Sequence, residues 1–111
     1  MNRKLIGAAS LLALTAMLPA FAFSEDNGQA AMNAFMDVNH RMMTDMGMAM
    51  SGDPDKDFVA MMIPHHQGAI DMAKVELQYG KDSKLRAMAE AIVKAQEEEI
   101  AEMKAWRQAH P

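Results

Sequence analysis

The sequence predicts an all-α protein, an antiparallel bundle of three long helices. Apolar residues recur at helical spacing in three segments after residue 28. None of these segments shows the alternation of apolar and polar residues that is typical of strands. Proline, glycine and aspartate residues separate the second segment from its neighbours, as is usual where helices begin and end.

The first predicted helix runs from about Gln29 to Met46. Its apolar side chains fall on one side of a helix, and charged residues such as Arg41 fall on the other. His40 lies at the edge of the apolar side, four residues after Met36 and three before Met43, so these three side chains can face one point. A histidine at such an edge is more often half-exposed than bound to a metal, and both interpretations remain open.

The second predicted helix begins after Asp53, an N-cap residue followed by proline, and ends at Gly80. Apolar residues cover about half of its circumference. His65 lies near the centre of this arc, and His66 lies farther round. Imidazoles among apolar side chains need partners for their ring nitrogens, and either a metal ion or a hydrogen bond provides them. Gly68 has no side chain, so we expect a neighbouring helix to approach closely there.

The third predicted helix begins at Asp82 or Ser83 and ends near Gln108. Two polar residues, Gln96 and Glu99, occupy its inward-facing side. They either orient the histidines by accepting their second N–H or pair with lysine or with their counterparts across a dimer. Because the second helix is apolar over half its surface, we expect either a compact three-helix domain or a bundle completed by dimerisation.

The N-terminus is typical of a signal peptide. Arg3 and Lys4 precede a nearly unbroken apolar run and an Ala-Phe-Ala cleavage pattern that ends at Ala22. We therefore expect residues 1–22 to be removed and residues 23–111 to form one domain in the periplasm or outside the cell. An uncleaved anchor is the alternative, because the uncharged stretch approaches the ~20 residues that span a bilayer.

The predicted mature domain is acidic and small. Two of the eleven basic side chains lie in the predicted signal peptide, which leaves nine against fifteen acidic ones. This charge disfavours nucleic acid and anionic lipid as partners, and no membrane association is expected after cleavage. A domain of about ninety residues buries little surface, so a bound metal or a second copy is expected to add stability.

Methionine is unusually frequent. It occupies 14 of 111 positions, and eight of these lie between Met42 and Met72, around His65 and His66. Methionine also fills gaps in helical cores, but a core built for packing alone usually depends on leucine, and only two leucines follow residue 22. With no cysteine present, thioethers and imidazoles form a soft, uncharged ligand set that copper(I) prefers. The composition therefore favours copper, with the preferred oxidation state left open by the histidines.

The segment 57–73, DFVAMMIPHHQGAIDMA, resembles the signature of domain-of-unknown-function family 305, the CopM-like family. Residues of the first and third predicted helices also fit this family, so the resemblance covers nearly all of residues 23–111. It implies a ferritin-like helical fold, export and, for characterised relatives, copper binding and copper resistance. By position, it implies the following metal-binding residues: His65, His66, Met61, Met62, Met72, His40, Met43 and Met103.

The run Met46, Met48 and Met50 adds three thioethers after the first predicted helix. It forms either a second site or an arm that passes the ion inward. We expect capture of copper rather than catalysis, for copper homeostasis and resistance, with an unidentified protein receiving the ion.

Two alternatives to copper capture stay open. One is a ferritin-like metal-dependent oxidase, although the sequence lacks the Glu-x-x-His pairs of di-iron bundles. The other is a methionine-rich interaction module without metal.

Overall fold

A computed structural model describes residues 25–47 and 50–111. The described residues form three α-helices and no strand, and the helices are α1 (Glu25–Met46), α2 (Pro54–Tyr79) and α3 (Ser83–Ala109). The all-α prediction with three long helices is confirmed. None of these helices contains an apolar stretch sufficient to cross a bilayer. The predicted signal peptide and Met48 lie outside the described residues.

Local sequence signals determine the bounds of α2. The side chain of Asp53 accepts a hydrogen bond from the backbone N–H of Asp55 at 2.9 Å, as an N-cap does. At the other end, the N–H of Gly80 donates to the carbonyl of Glu76. The backbone of Gly80 is extended, with φ −72°, and a Cβ there would overlap the Glu76 side chain. Glycine is therefore favoured at this position by close approach rather than by backbone conformation.

Helices α2 and α3 are joined by a short turn and run antiparallel. The N-cap Asp82 accepts a hydrogen bond from the N–H of Leu85 at 2.9 Å. Arg86, in the first turns of α3, donates to the carbonyls of Leu77 and Gly80 at 2.7 and 3.0 Å. These carbonyls belong to the end of α2, where backbone acceptors lack partners within the helix. The guanidinium thus ties the end of one helix to the start of the next.

Helix α2 is central, because α1 and α3 each pack on it while their backbones do not approach each other. The side of α2 that carries His66 faces α3, and the side that carries Gly68 faces α1. Residues two positions apart lie about 200° apart around a helix. Helices α1 and α3 therefore cover nearly opposite sides of α2, and the described residues form an open arrangement rather than a closed bundle.

Gly68 allows the close packing of α1 on α2. It is buried, and a Cβ added to it would overlap the Cγ and Sδ atoms of Met42 on α1. The predicted close approach of a neighbouring helix is thereby confirmed. An exposed ion pair joins Arg41 and Asp71 near this contact at 3.9 Å, and pairs of this kind contribute little to stability.

The core is small and contains no methionine. Within the described part of the chain, no large side chain is fully buried, and the buried hydrophobic residues are Val38, Val59, Ile70, Ala73, Val75, Ala89 and Ile100. All eleven described methionines are instead half-buried or exposed. Core filling therefore does not account for the unusual number of methionines.

The loop between α1 and α2 is held by one carboxylate. Asp57 accepts hydrogen bonds from the backbone N–H and the hydroxyl of Ser51, at 2.7 and 2.8 Å, and from the N–H of Gly52 at 2.9 Å. Gly52 has φ +87°, a conformation that favours glycine. The hydrogen bonds from Ser51, first from its backbone and then from its hydroxyl, hold the pKa of Asp57 below its ordinary value.

Replacement of Asp57 by asparagine is expected to remove a pH-dependent part of the stability. Because the folded-state pKa lies below the unfolded value of about 3.9, the stabilisation by the carboxylate is fully present above about pH 4 and is lost as the pH falls through the folded-state pKa. We expect Asp57→Asn to lower the free energy of unfolding at neutral pH, and the difference from the wild type to shrink in acid. Urea unfolding followed by circular dichroism at several pH values measures this difference.

Asp55→Asn is the matched control, because Asp55 is an exposed carboxylate in the same helical turn. Because Asp57 and not Asp55 accepts the hydrogen bonds of Ser51 and Gly52, Asp55→Asn should lower the free energy of unfolding less at neutral pH. An Asp57→Asn deficit that stays constant down to pH 2 would contradict the role assigned to this carboxylate.

Candidate metal centre

The side of α2 between the contacts with α1 and α3 is uncovered, and apolar residues form it. Phe58, Met61, His65, Ala69 and Met72 follow one another at intervals of three or four residues, so they lie on one side of the helix. Phe58 is 59% exposed, Met72 is 36% exposed and His65 is exposed as well. We call this side of α2, together with the apolar side chains of α1 and α3 that border it, the open face.

Methionines and other apolar residues of α1 and α3 border the open face. A shallow cavity of about 260 Å³ lies between Phe35 of α1, Met72 of α2, and Leu85 and Met88 of α3. The bordering side chains of α1 continue on the same side of that helix, and they are Met32, Phe35, Met36 and Met43. All four are more than one third exposed. The open face is therefore a groove lined largely by thioethers.

His65 and His66 lie in different surroundings although they are adjacent. Their ring centroids are 5.9 Å apart and the rings are tilted by 59°. His65 is exposed on the open face with Met61 and Met72, as the sequence placed these three on one arc. His66 is only 7% exposed and points toward α3. The two histidines therefore do not share one environment.

The His66 ring is held by a carboxylate. Its Nε2 contacts the Oε2 atom of Glu99 on α3. This contact confirms one of the two expected roles of Glu99, that of a histidine partner. If Nε2–H donates to the carboxylate, Nδ1 carries a lone pair. Nδ1 is buried and has no hydrogen-bond partner.

A second acceptor in the same region also lacks a partner. The Oε1 atom of Gln96, one turn before Glu99 on α3, is buried without a hydrogen bond. Buried polar atoms without partners are rare and cost free energy. Two acceptors without donors at the contact of α2 and α3 are suited to a positively charged ligand.

Two methionines flank the His66–Glu99 contact. Met62 precedes His66 by one turn of α2, and Met103 follows Glu99 by one turn of α3. Because the helices run antiparallel, these two methionines lie at the same level along the pair, and both are half-buried. We call the group formed by Met62, His66, Gln96, Glu99 and Met103 the α2–α3 seam. The sequence pattern alone did not group these five residues.

The remaining predicted ligands lie apart from the seam. His40 is exposed on α1, Met43 borders the open face, Met46 is half-buried at the end of α1, and Met50 is exposed in the following loop. Within residues 25–47 and 50–111, no three His, Asp or Glu side chains cluster as they do in metal sites of those residue types.

The last histidine of the chain belongs to a different contact. His110 stacks on Trp106, with ring centroids 4.3 Å apart and the planes 14° from parallel. Its Nδ1 lies 2.7 Å from the carbonyl oxygen of Trp106. The ring of His110 therefore interacts with Trp106 at the end of α3, away from His65 and His66.

Comparison with known proteins gives one family. No significant match is found among curated proteins. The sequence model of the family described as Domain of unknown function (DUF305) matches residues 13–107. The chain therefore belongs to the DUF305 family.

Proposed function

We propose that this chain is an exported protein that binds copper, as copper(I), through His66 and the flanking thioethers of the α2–α3 seam. One observation carries the proposal, namely the arrangement of the His66 ring. One ring nitrogen contacts a carboxylate, and the other is buried without a partner. Histidines that bind metals commonly donate their second N–H to a carboxylate, which orients the ring and makes it a better ligand.

The residues present favour a soft cation. Met62 and Met103 offer thioether sulfur one helical turn from the His66–Glu99 contact, and the chain has no cysteine. Thioether and imidazole donors suit copper(I), whereas magnesium and calcium prefer oxygen ligands. The thioether and imidazole donors are neutral, so the negative charge of Glu99 would compensate the single positive charge of the ion.

The open face supports a role in capture. His65, Met61 and Met72 are reachable from solvent there, and Met43 borders them. We propose that, in a chain whose open face is free, these side chains meet the ion first and pass it to the seam, with Met46, Met48 and Met50 as a further reservoir of thioethers. Such binding serves copper homeostasis and resistance in the periplasm.

Titration of residues 23–111 with copper(I) against a competing chelator, under reducing conditions, tests this proposal. We expect near-stoichiometric binding by the wild type and loss of it in the double variant His65→Ala, His66→Ala. In single variants, His66→Ala should weaken binding more than His65→Ala, because the seam is proposed to hold the ion.

His110→Ala is the matched control, because His110 is held against Trp106 at the end of α3. It should bind copper(I) as the wild type does. Circular dichroism must show unchanged helicity in all variants. Unchanged affinity in the folded double variant, or tighter binding of zinc than of copper(I), would refute the proposal.

A further inference from the structure

We infer that the open face is covered by a second copy of this chain, in a two-fold dimer. The exposed large apolar side chains are not scattered over the described residues. Apart from Met50 in the loop, they lie on the three helices at the floor or border of the open face, and they are Met32, Phe35, Met36, Met43, Phe58, Met72, Leu85 and Met88. Contiguous apolar patches of this kind mark interaction sites.

The area of this patch corresponds to one side of a stable interface. If each of the eight side chains has about 200 Å² of surface, their exposed fractions amount to about 800 Å² of apolar area. Stable protein interfaces bury about 800 Å² on each partner. A single small molecule would fill only the 260 Å³ cavity between Phe35 and Leu85 and would leave most of the patch in water.

The chemistry of the patch favours an identical copy as the occupant. Carboxylates border the patch at Glu76 beside the cavity, at Asp55 and Glu102 beside Phe58, and at Glu99, which contacts His66. The surface between them consists of thioethers and of aliphatic and aromatic groups, which complement an equally apolar surface. A two-fold axis places the same patch on both sides of the interface, and homodimer interfaces are the more apolar class.

The small core provides a second reason. No large side chain is fully buried in the described chain, and the buried hydrophobic residues are mostly valine and alanine. A domain of this size is marginal when it stands alone. Burial of the open face would add a second apolar core shared by two chains. This inference depends on apolar area alone and not on copper.

The mass of residues 23–111 in the presence of a metal chelator tests the dimer. We expect sedimentation equilibrium between about 1 and 100 µM to give the mass of two chains, with dissociation on dilution. The variant Leu85→Lys should weaken the dimer at least tenfold, because Leu85 is 49% exposed beside the cavity and has no ligand atom. The added positive charge lowers the magnitude of the net charge of the acidic chain, so the overall charge repulsion between two chains does not increase.

Ala87→Lys is the matched control on the same helix. Ala87 is exposed and lies two residues after Leu85, on nearly the opposite side of α3. It should leave the dimer unchanged. The inference is overturned if the wild-type domain has the mass of one chain throughout, which would assign the face to another protein. Open-ended oligomers, or equal dimerisation of Leu85→Lys and wild type, would overturn it as well.

Discussion

The variant Gly68→Val is expected to destabilise the protein by about 2–3 kcal/mol, the upper range for overpacking of a tight contact. The Cβ atom alone would overlap Met42, and the two methyl groups of valine add further volume where α1 lies on α2. Helix propensity does not explain such a loss, because valine is a slightly better helix former than glycine. Urea unfolding monitored by circular dichroism measures the change in the free energy of unfolding.

A matched pair of alanine variants separates packing from propensity. Gly28, on α1, has no atom within 4 Å of an added Cβ, so Gly28→Ala should be neutral or stabilise by up to about 1 kcal/mol. Gly68→Ala should destabilise despite the same gain in propensity. Combination with Met42→Ala should recover part of that loss, because the overlapping atoms are removed. Stabilisation by Gly68→Ala to the same extent as by Gly28→Ala would show that the helices do not approach closely.

Loss of the Glu99 carboxylate is expected to lower copper(I) affinity by about 10- to 100-fold, the usual effect of removing the partner of a metal-binding histidine. In Glu99→Ala, Nε2 of His66 loses the acceptor that orients the ring. Glu99→Gln keeps an acceptor oxygen at this position, so its affinity should lie between those of the wild type and Glu99→Ala. Competition titration with a copper(I) chelator measures all three affinities.

Glu98→Ala controls for the loss of one negative charge from the same helix. Glu98 is exposed and adjacent to Glu99, so its removal changes the net charge equally without changing the surroundings of His66. We expect its copper(I) affinity to stay within about twofold of the wild type, as for surface charges screened by solvent. If Glu98→Ala and Glu99→Ala lower the copper(I) affinity equally, the effect comes from the loss of one negative charge, and Glu99 does not position His66.

The ends of the helices were predictable because their signals are local. Asp53 caps α2 through the nearest backbone N–H groups, and Gly80 follows its last residue. Asp82 does the same for α3. The start of α1 differs from the prediction: this helix begins at Glu25, four residues before the expected position.

The surroundings of the predicted ligands were less predictable than the helix ends. Helical periodicity places His65 and His66 in one apolar arc, but it does not tell which neighbouring helix covers which part of that arc. The structure assigns the His66 side to α3 and leaves the His65 side uncovered. Glu99 is 33 residues from His66 along the chain, and their contact depends on the register of two helices.

The sequence by itself determined three helices, their approximate ends, a glycine suited to close packing, and an unusual number of thioethers. Periodicity and capping act over a few residues, so they are readable without knowledge of the fold. Only the tertiary structure decided that α1 and α3 lie on opposite sides of α2. That arrangement buries the ring of His66 against Glu99 and leaves a methionine-lined face of α2 open. Periodicity does not contain this information, because the way in which two neighbouring helices share the apolar arc of α2 depends on how all three helices pack.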